Sequence, residues 1–356
     1  TYKIMKSPQN TSNTYAFEQT KMTFSKFQNL EIKPLYMQKW QTNGANNLNY
    51  KIIKDAYDDS PTNSSIINSM TNYFMGNGLI DKNGLNITNY LSKFDLLLAI
   101  RDYKLFGGCT LQIIYSKANK PLKIKHIPLE TIGLNLDLAT MEVNGYWYCY
   151  DWTLRGRFKP ELYPKFGSGA PLEIIMIKRP SSTPFFPIPD YLSGIPYAQM
   201  EGEMANAGIN HFKNSIGALT VINVGGGRHA DIETEKQEAE KLKNKVVGSD
   251  NTSKVVVHFG DDAEDSITVD QLHPPEINQQ NVFFAEESER KILSAHSVPS
   301  VLFGSGAQGS GFSSNADEIA VATKGLYRRH INPMREVILN GLQSVFDLIN
   351  NDSDPQ

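Results

Sequence analysis

The chain has 356 residues, of which 40% are hydrophobic and 21% are charged. This composition excludes a disordered chain and predicts a soluble globular protein that holds more than one structural unit. The longest nearly apolar run, Phe94 to Ile100 with Asp95 in it, is far shorter than the roughly 20 residues that a membrane helix requires. Cys109 and Cys149 are too few for a disulfide framework and form no C-x-x-C pair, which suits a reducing compartment or simple burial.

The formal net charge of −3 argues against a strongly basic nucleic-acid-binding surface. The charges are unevenly distributed along the chain. Residues 1 to 195 carry 22 Lys and Arg against 15 Asp and Glu, whereas residues 196 to 356 carry 13 against 23. The first half is therefore basic and the second half acidic, a difference that chance between two domains would also produce.

Residues 1 to 60 are rich in Asn, Gln, Thr and Tyr and show little periodicity, so the sequence predicts an extended arm with short elements. A helix follows, because four apolar residues recur at helical spacing before Gly76 supplies a stop. These four residues are Ile66, Ile67, Met70 and Phe74. A second helix is predicted from Leu91 to Tyr103, with its end at Phe106-Gly107-Gly108.

Strand signals come next. Thr110 to Tyr115 and Leu122 to Ile127 are predicted to pair, and Met141 to Val143 with Tyr146 to Trp152 are predicted to form a hairpin around Asn144-Gly145, a strong type I′ signal. The last strand carries a run of aromatic rings, which either packs in a core and on one sheet face or stacks on nucleic-acid bases. The run consists of Tyr146, Trp147, Tyr148, Tyr150 and Trp152.

A proline-rich connector between residues 180 and 196 marks a boundary, and a helix through Asn214 follows it. The small residues of this helix permit close packing against another helix; they are Gly202, Ala205, Ala207 and Gly208. Residues 216 to 276 then predict a small α+β subdomain. Its strands and helix are Ala218 to Val224, Ile232 to Val247, Lys254 to Phe259 and a short strand over Ile267 to Val269.

The next region predicts a helix, a glycine-rich loop and a second helix. The first helix runs through residues 286–291 and ends at Val298-Pro299, since the residue before a proline is pushed out of helical dihedrals. The loop spans Gly304 to Ser314, and Asn315 with Glu318 forms a capping box for the second helix. After a kink at Pro333, one apolar stripe comprises Val337, Ile338, Leu342, Val345, Phe346 and Ile349.

The glycine-rich loop admits three interpretations. Gly304, Gly306 and Gly309 match G-x-G-x-x-G, but the strand, the immediately following helix and the distant acidic residue of a dinucleotide site are missing. No Lys-Ser or Lys-Thr follows the glycines, so a Walker loop is not indicated either. Nucleotide binding, a plain flexible surface loop and a structural loop of a larger assembly stay open on the loop residues alone.

Catalytic constellations are absent from the sequence. The seven histidines are scattered, and there is no H-E-x-x-H, no G-x-S-x-G and no cysteine ligand pair. His296 and Ser297 are adjacent on a predicted helix, so their side chains point about 100° apart and do not face each other. The sequence therefore predicts a protein without catalytic residues, cofactor or metal, and a solvated or interface role for His296.

The order of these elements resembles the portal proteins of tailed bacteriophages. The resemblance rests on Ser297-Val298-Pro299-Ser300-Val301-Leu302-Phe303-Gly304, Phe312-Ser313-Ser314-Asn315 and Ile331-Asn332-Pro333. It is supported by Gly194-Ile195-Pro196 before a helix that ends near Asn210-His211-Phe212, and by the strand after Phe106-Gly107. It covers roughly residues 60 to 345, and Ser300 stands where many members of the family carry a second proline.

The resemblance implies an α+β portal-like fold: an α/β wing, a two-helix stem, a small α+β clip between the stem helices, a tunnel loop and a long kinked C-terminal helix. The implied boundaries are an N-terminal arm at 1–60, the wing at 61–193, the first stem helix at 194–215, the clip at 216–275, the second stem helix at 276–299, the tunnel loop at 300–314, the long wing helix at 315–350 and a tail at 351–356. Little or none of the family's C-terminal crown is expected.

The resemblance also assigns candidate site residues. The tunnel loop comprises Gly304, Ser305, Gly306, Gln308, Gly309, Ser310, Gly311 and Phe312. The channel face of the stem comprises Glu201, Glu203, Glu286, Glu287, Glu289, Arg290 and Lys291, in the acidic half of the chain. The clip strands contribute Val221, Val224, Val256 and Val257.

The function implied by the resemblance is that of a ring, usually of twelve subunits, at one capsid vertex of a virion assembled in the bacterial host cytoplasm. Such a ring is a conduit through which double-stranded DNA is packaged and ejected without sequence specificity. The expected partners are copies of the same chain, the major capsid protein, the terminase and a neck or adaptor protein, and no membrane. Two alternatives stay open: another ring-forming head–tail adaptor, or a nucleotide-binding enzyme that uses Gly304 to Gly309.

Overall fold

The structure is a computed structural model that describes most of the chain. The described residues are 26–28, 39–80, 86–118, 120–181, 183, 185–215, 219–224, 255–259, 267–272, 277–303 and 316–351. From residue 210 to residue 281 the description covers the backbone only. The elements confirm the predicted α+β class, with two small antiparallel sheets, a third mixed sheet and several helices.

Three helices open the described fold: α1 (Leu48–Asp59), α2 (Pro61–Met75) and α3 (Lys93–Phe106). Helix α2 begins where the sequence predicts, because Pro61 occupies its first turn and the Ser60 hydroxyl accepts the Asn63 N–H at 3.1 Å. It ends at Gly76, whose φ of 48° lies in the left-handed region. The four apolar residues predicted to line α2 are buried.

Helix α1 was not expected. The sequence predicts an extended arm up to residue 60, but residues 48–59 are helical, and Tyr50, Ile52, Ile53 and Ala56 are buried. The segment carries one asparagine and three aspartates, all poor helix formers, so its helix propensity is low. Burial of one apolar face against the rest of the chain supplies the stability that its helix propensity lacks.

Two three-stranded antiparallel sheets follow α3. The first has the order β2-β1-β6 and the second the order β3-β4-β5. The strands are β1 (Gly108–Tyr115), β2 (Pro121–Ile127), β3 (Ile132–Asp137), β4 (Glu142–Tyr148), β5 (Glu161–Pro164) and β6 (Leu172–Lys178). The predicted pairing of β1 with β2 is confirmed, with Thr110 opposite Ile127 and Ile113 opposite Ile124.

The predicted hairpin around Asn144-Gly145 is wrong. Both residues lie inside the continuous strand β4, which pairs with β3 on one side and β5 on the other. The register moves from Asn135 opposite Gly145 to Leu136 opposite Val143, so Asn144 is the extra residue of a β-bulge. A Cβ on Gly145 would lie 2.8 Å from the Tyr163 carbonyl oxygen, so glycine is needed there for close strand approach rather than for a turn.

After the sheets, two long helices enclose a third sheet in the sequence. The helices are α4 (Ile195–Ser215) and α5 (Ile277–Ala295), and the strands are β7 (Leu219–Val224), β8 (Val255–Phe259) and β9 (Ile267–Leu272). Strand β7 is central, parallel to β8 and antiparallel to β9. All three predicted strands of this region are therefore present, and the predicted helix over 232–247 lies outside the described residues.

The chain ends in one long helical segment: α6 (Ala316–Leu326), a π turn (Tyr327–Ile331) and α7 (Asn332–Asn351). The π turn comes directly before Pro333, which lacks an N–H group and crowds the carbonyl four residues earlier, so the wider turn accommodates it. The predicted apolar stripe of α7 packs against α3, β1 and β6; Ile338, Leu342, Val345, Phe346 and Ile349 are buried.

We predict that Gly107→Ala destabilises the fold strongly. Gly107 ends α3 with a φ of 84°, and a Cβ there would lie 2.1 Å from the Ile188 carbonyl oxygen. Left-handed strain alone costs about 1–2 kcal/mol, and the backbone clash adds to it. The free energy of unfolding should therefore fall by more than about 2 kcal/mol, measured as a lower denaturant midpoint. Gly156→Ala is the matched control, since no atom lies within 4 Å of its Cβ position; equal midpoints for the two variants would contradict the prediction.

Candidate functional site

The helices α4 and α5 are the elements on which the sequence places its candidate channel residues. They run antiparallel, because the start of α4 meets the end of α5: a Cβ on Gly194 would lie 2.8 Å from the Ala295 Cβ. Glycine at this position permits the close approach. Of the small residues predicted to permit close packing, Gly202 makes such an approach, but to α1: a Cβ there would lie 2.9 Å from the Asp59 Cβ. Gly208 has no atom within 4 Å of its Cβ position, and Ala205 is exposed.

Glu201 fixes α4 to the start of α2. Its carboxylate accepts hydrogen bonds from the Thr62 hydroxyl, at 2.7 Å, and from the Ser60 hydroxyl. Ser60 is fully buried and also caps α2, so a single carboxylate connects α4 to the α1–α2 junction. Glu201 is thus engaged within its own chain, whereas Glu203 is half-buried and makes no such bond to a described residue.

His296 fixes the end of α5 to the same place. It is 2% exposed, its Nε2 lies 2.8 Å from the Asn63 Oδ1, and its ring stacks on Tyr191 at 4.2 Å. Because the Asn63 amide nitrogen donates to the Ala56 carbonyl, its oxygen accepts, and the proton of His296 is on Nε2. Burial, reinforced by the nearby Lys104 charge, holds the pKa of His296 well below its usual value and keeps the ring neutral. The expectation of a solvated or interface histidine is wrong.

The outward face of α5 carries the other candidate channel residues. Glu286 is exposed, and Arg290 donates to Glu287 at 2.6 and 2.8 Å, with Lys291 3.7 Å from the same carboxylate. The hydrogen bond from Arg290 lowers the pKa of Glu287, and the nearby positive charges add to this effect. Glu289 is half-buried at the side of the helix. The face is therefore mixed in charge rather than simply acidic.

Exposed apolar residues on α5 escaped the sequence analysis. Val282, Phe283 and Phe284 are 56%, 62% and 44% exposed, and the two phenyl rings meet edge to face at 5.7 Å. Ile209 on α4 is 52% exposed and, at 1.5 Å rise per residue in antiparallel helices, lies about level with them. A signal was available: three apolar residues in succession cannot all face one partner helix. Such a patch in a lone chain is typical of an association surface.

The four candidate clip residues lie on neighbouring strands. Val221 of β7 pairs with Val256 of β8, and Val257 and Val224 follow in the same parallel register. Strands β8 and β9 are the outer strands, and neither outer edge pairs with another strand in the part of the chain that the structure describes. Open edges of this kind offer backbone groups for pairing with another chain.

The predicted tunnel loop lies outside the described residues. The chain is described up to Phe303 and again from Ala316, so residues 304–315 and the predicted cap at Asn315 are not placed. Helix α6 begins at Ala316, as the capping prediction requires. The interpretations of the loop, including nucleotide binding, stay predictions.

The aromatic run of β4 serves packing within the chain. Tyr146 and Trp152 are buried, and the rings of Trp147 and Trp152 contact Trp40 at 5.8 and 5.9 Å. This is the core alternative of the sequence analysis, with Tyr150 as an exposed exception at 68%.

The described residues were also compared with what a metal site, a reactive thiol or a membrane helix requires. No group of three or more His, Cys, Asp or Glu side chains that could hold a metal ion occurs there. Cys109 and Cys149 are free and buried, and burial raises the pKa of both thiols. None of the described helices combines the length and the apolar character needed to cross a membrane.

Comparison with known proteins gives a likeness in fold. No family model matches the sequence, and no curated protein matches it. The chain is similar to a chain in the virion of a native gene transfer agent particle, with a TM-score of 0.57, 14% identity, and 82% of this chain and 78% of that chain covered. A chain in the neck of the native particle, computed with C12 symmetry, gives the same TM-score and coverage at 12% identity.

A further similar structure is an HK97 family phage portal protein from Corynebacterium diphtheriae, at 11% identity and a TM-score of 0.45, with 84% of this chain and 89% of that chain covered. At such identities a likeness concerns the fold alone. The chain therefore shares its fold with a chain in a virion particle.

We predict that Glu201→Ala destabilises the protein by about 1–3 kcal/mol, because it leaves two hydroxyl groups at the start of α2 without their acceptor. Chemical denaturation measures the effect. Glu203→Ala, on the same helix, should change stability by no more than about 0.5 kcal/mol. If both variants were as stable as the wild type, Glu201 would not connect α4 to α2 and would be free to line a channel.

Proposed function

We propose that the chain is the subunit of a portal ring at a capsid vertex of a virion. The observation that supports this most directly is the fold, shared over 82% of the chain with proteins in the virion and neck of a gene transfer agent. The C12 symmetry used for that neck favours twelve subunits here. The ring would pass double-stranded DNA during packaging and ejection, and would itself carry out no chemistry.

The described elements support a division of each subunit into a wing, a stem and a clip. Residues 61–193, with α2, α3 and β1–β6, form the wing, and α4 and α5, at 194–215 and 276–299, form the stem. Strands β7, β8 and β9, within 216–275, form the clip. Residues 300–314 form the tunnel loop, and 315–350 the long wing helix. In this arrangement the clip lies at the far end of the stem, where a terminase and later a neck protein dock, while the wing meets the major capsid protein.

DNA passage requires weak contacts. A basic lining would bind the phosphates through counterion release, whereas a lining of low or negative charge lets the duplex slide. Glu286 and the Glu287–Arg290 pair give α5 an outward face of this kind, and Glu203 adds to it on α4. Glu201 is excluded from this set by its bonds to Ser60 and Thr62.

The first test is the assembly state. The wild-type chain should form closed rings with an axial hole, measured by native mass spectrometry and electron microscopy. The reason is that the exposed apolar residues Ile209 and Val282–Phe284 and the outer edges of β8 and β9 are suited to contacts with other subunits. Monomers only at micromolar concentration, with no rings on co-expression with the capsid protein, would overturn the proposal.

The second test concerns the loop. Replacing Gly306 and Gly309 together by proline fixes φ and removes two N–H groups, so the loop becomes stiffer while the stem is unchanged. Normal rings and procapsids with impaired DNA filling or retention are expected, measured as packaged DNA per particle. The control is Gly306→Ala with Gly309→Ala, which keeps both N–H groups. Full packaging and retention in the double variant would show that loop mobility is not needed.

A further inference from the structure

Helix α6 is the least covered helix among the described side chains. Residues 317–321 are exposed throughout, with Ile319 at 43% and Val321 at 69%, and only Leu326 at its end is buried. Its main contacts within the described chain are with the turn at Ser300–Leu302 and with its own continuation, and Leu326 joins the core cluster that includes α1 and α2. Exposed apolar side chains on a helix with so little packing are typical of an association surface.

A cleft of about 540 Å³ lies between the end of α2, helix α3 and helix α7. It is lined mainly by Phe74, Leu79, Leu96, Ile100, Ile338 and Leu339. Its surroundings are also apolar and open: Ile80 is 80% exposed, Phe94 68% and Leu339 47%. An apolar patch of this kind, with a preformed hollow, marks a site of protein association.

The cleft is fixed in shape by Arg335. Its guanidinium donates to the Phe74 carbonyl at 2.9 Å and to the Tyr73 carbonyl at 2.7 Å, and lies 5.5 Å from the centre of the Tyr327 ring. These bonds join the last turn of α2 to α7, so the cleft exists before any partner binds. A preformed site reduces the ordering cost of association.

The charges of the two surfaces are complementary. Lys93 and Arg101 on α3 are exposed and flank the lining residues, and neither has an ion-pair partner among the described residues. Asp317 and Glu318, in the first turn of α6, are exposed and equally unpaired. Opposite charges at the rim select a partner and its orientation.

The cleft cannot take the α6 of its own chain. Helices α6 and α7 form one continuous helical segment through the π turn, and Tyr327, at the cleft, directly follows α6. Helix α6 therefore leads away from the cleft that α7 helps to form. An α6 from another copy is free of this constraint.

We propose that α6 of one subunit packs into this cleft of the next subunit. Helix α6 and the cleft are different surfaces of the same chain, so their contact is head-to-tail. Such contacts form a closed ring when the rotation from one subunit to the next divides a full turn evenly. Residues of α6 advance by about 100° each, so Val321 lies on the side opposite Ile319. Ile319 shares its side with the buried Leu326, so Val321 is the side chain that enters the cleft, with Asp317 and Glu318 near Lys93 and Arg101. The inference rests on the proposed ring and names one contact within it.

A cross-linking experiment tests the contact directly. Val321→Cys and Ile80→Cys chains are prepared separately, mixed, assembled and treated with a short bismaleimide. The mixture should give a covalent dimer, each chain alone should not, and the double variant should give a ladder up to the ring size. The native Cys109 and Cys149 are buried, and wild-type rings control for them. Intact rings without the mixed dimer would overturn the proposal.

Charge reversal provides the second arm. Asp317→Lys with Glu318→Lys should raise the concentration needed for half assembly by roughly tenfold, and so should Lys93→Glu with Arg101→Glu. Combining all four changes should restore assembly. Lys159→Glu, at an exposed site elsewhere, is the control. If the wild type never forms rings, the proposed function fails; if rings form normally in every variant, only this contact fails.

Discussion

The junction between α1 and α2 is the constraint on which the positions of the other helices depend. Ser60 caps α2 and donates to Glu201 of α4, and Asn63 joins the Ala56 carbonyl to His296 at the end of α5. Four helices meet at a stretch of four residues. The bonds of Asn63 to Ser60, Ala56 and His296 are buried, and those of Glu201 are partly buried. Bonds of this kind cost most when one partner is lost, because a buried donor or acceptor is then left unsatisfied.

This junction fixes α4 and α5 to the rest of the chain at one end of the helix pair. Their near ends are fixed by Glu201, His296 and the close contact of Gly194 with Ala295. Further along the two helices, Ile209 and the Val282–Phe284 patch are exposed. A helical pair fixed at one end and apolar at the other is suited to association with copies of itself.

The two antiparallel sheets differ from the third in the hydrogen bonding of their outer strands. The outer edge of β2 is closed by the bond of the Ile124 N–H to the Tyr90 carbonyl, and that of β3 by reciprocal bonds between Leu134 and Gln41. Closed edges prevent unwanted strand pairing. The edges of β8 and β9 pair with no described strand, so association through strands, as proposed for the ring, is concentrated in the β7–β9 sheet.

The sequence by itself determined the elements whose signals are local. Helix α2 has its cap, its apolar spacing and its terminal glycine in one stretch, and β1 with β2 has alternation over adjacent segments, so short-range sterics and hydrogen bonding suffice. The motif pattern also indicated the fold. Only the tertiary structure decided the rest. Asn144-Gly145 forms a bulge because β5 approaches Gly145, and α1 is helical because its Tyr50 face is buried. Glu201 connects α4 to α2 because Ser60 and Thr62, about 140 residues earlier, donate hydrogen bonds to it. In each case the deciding partner is distant in sequence, and local propensity carries no information about it.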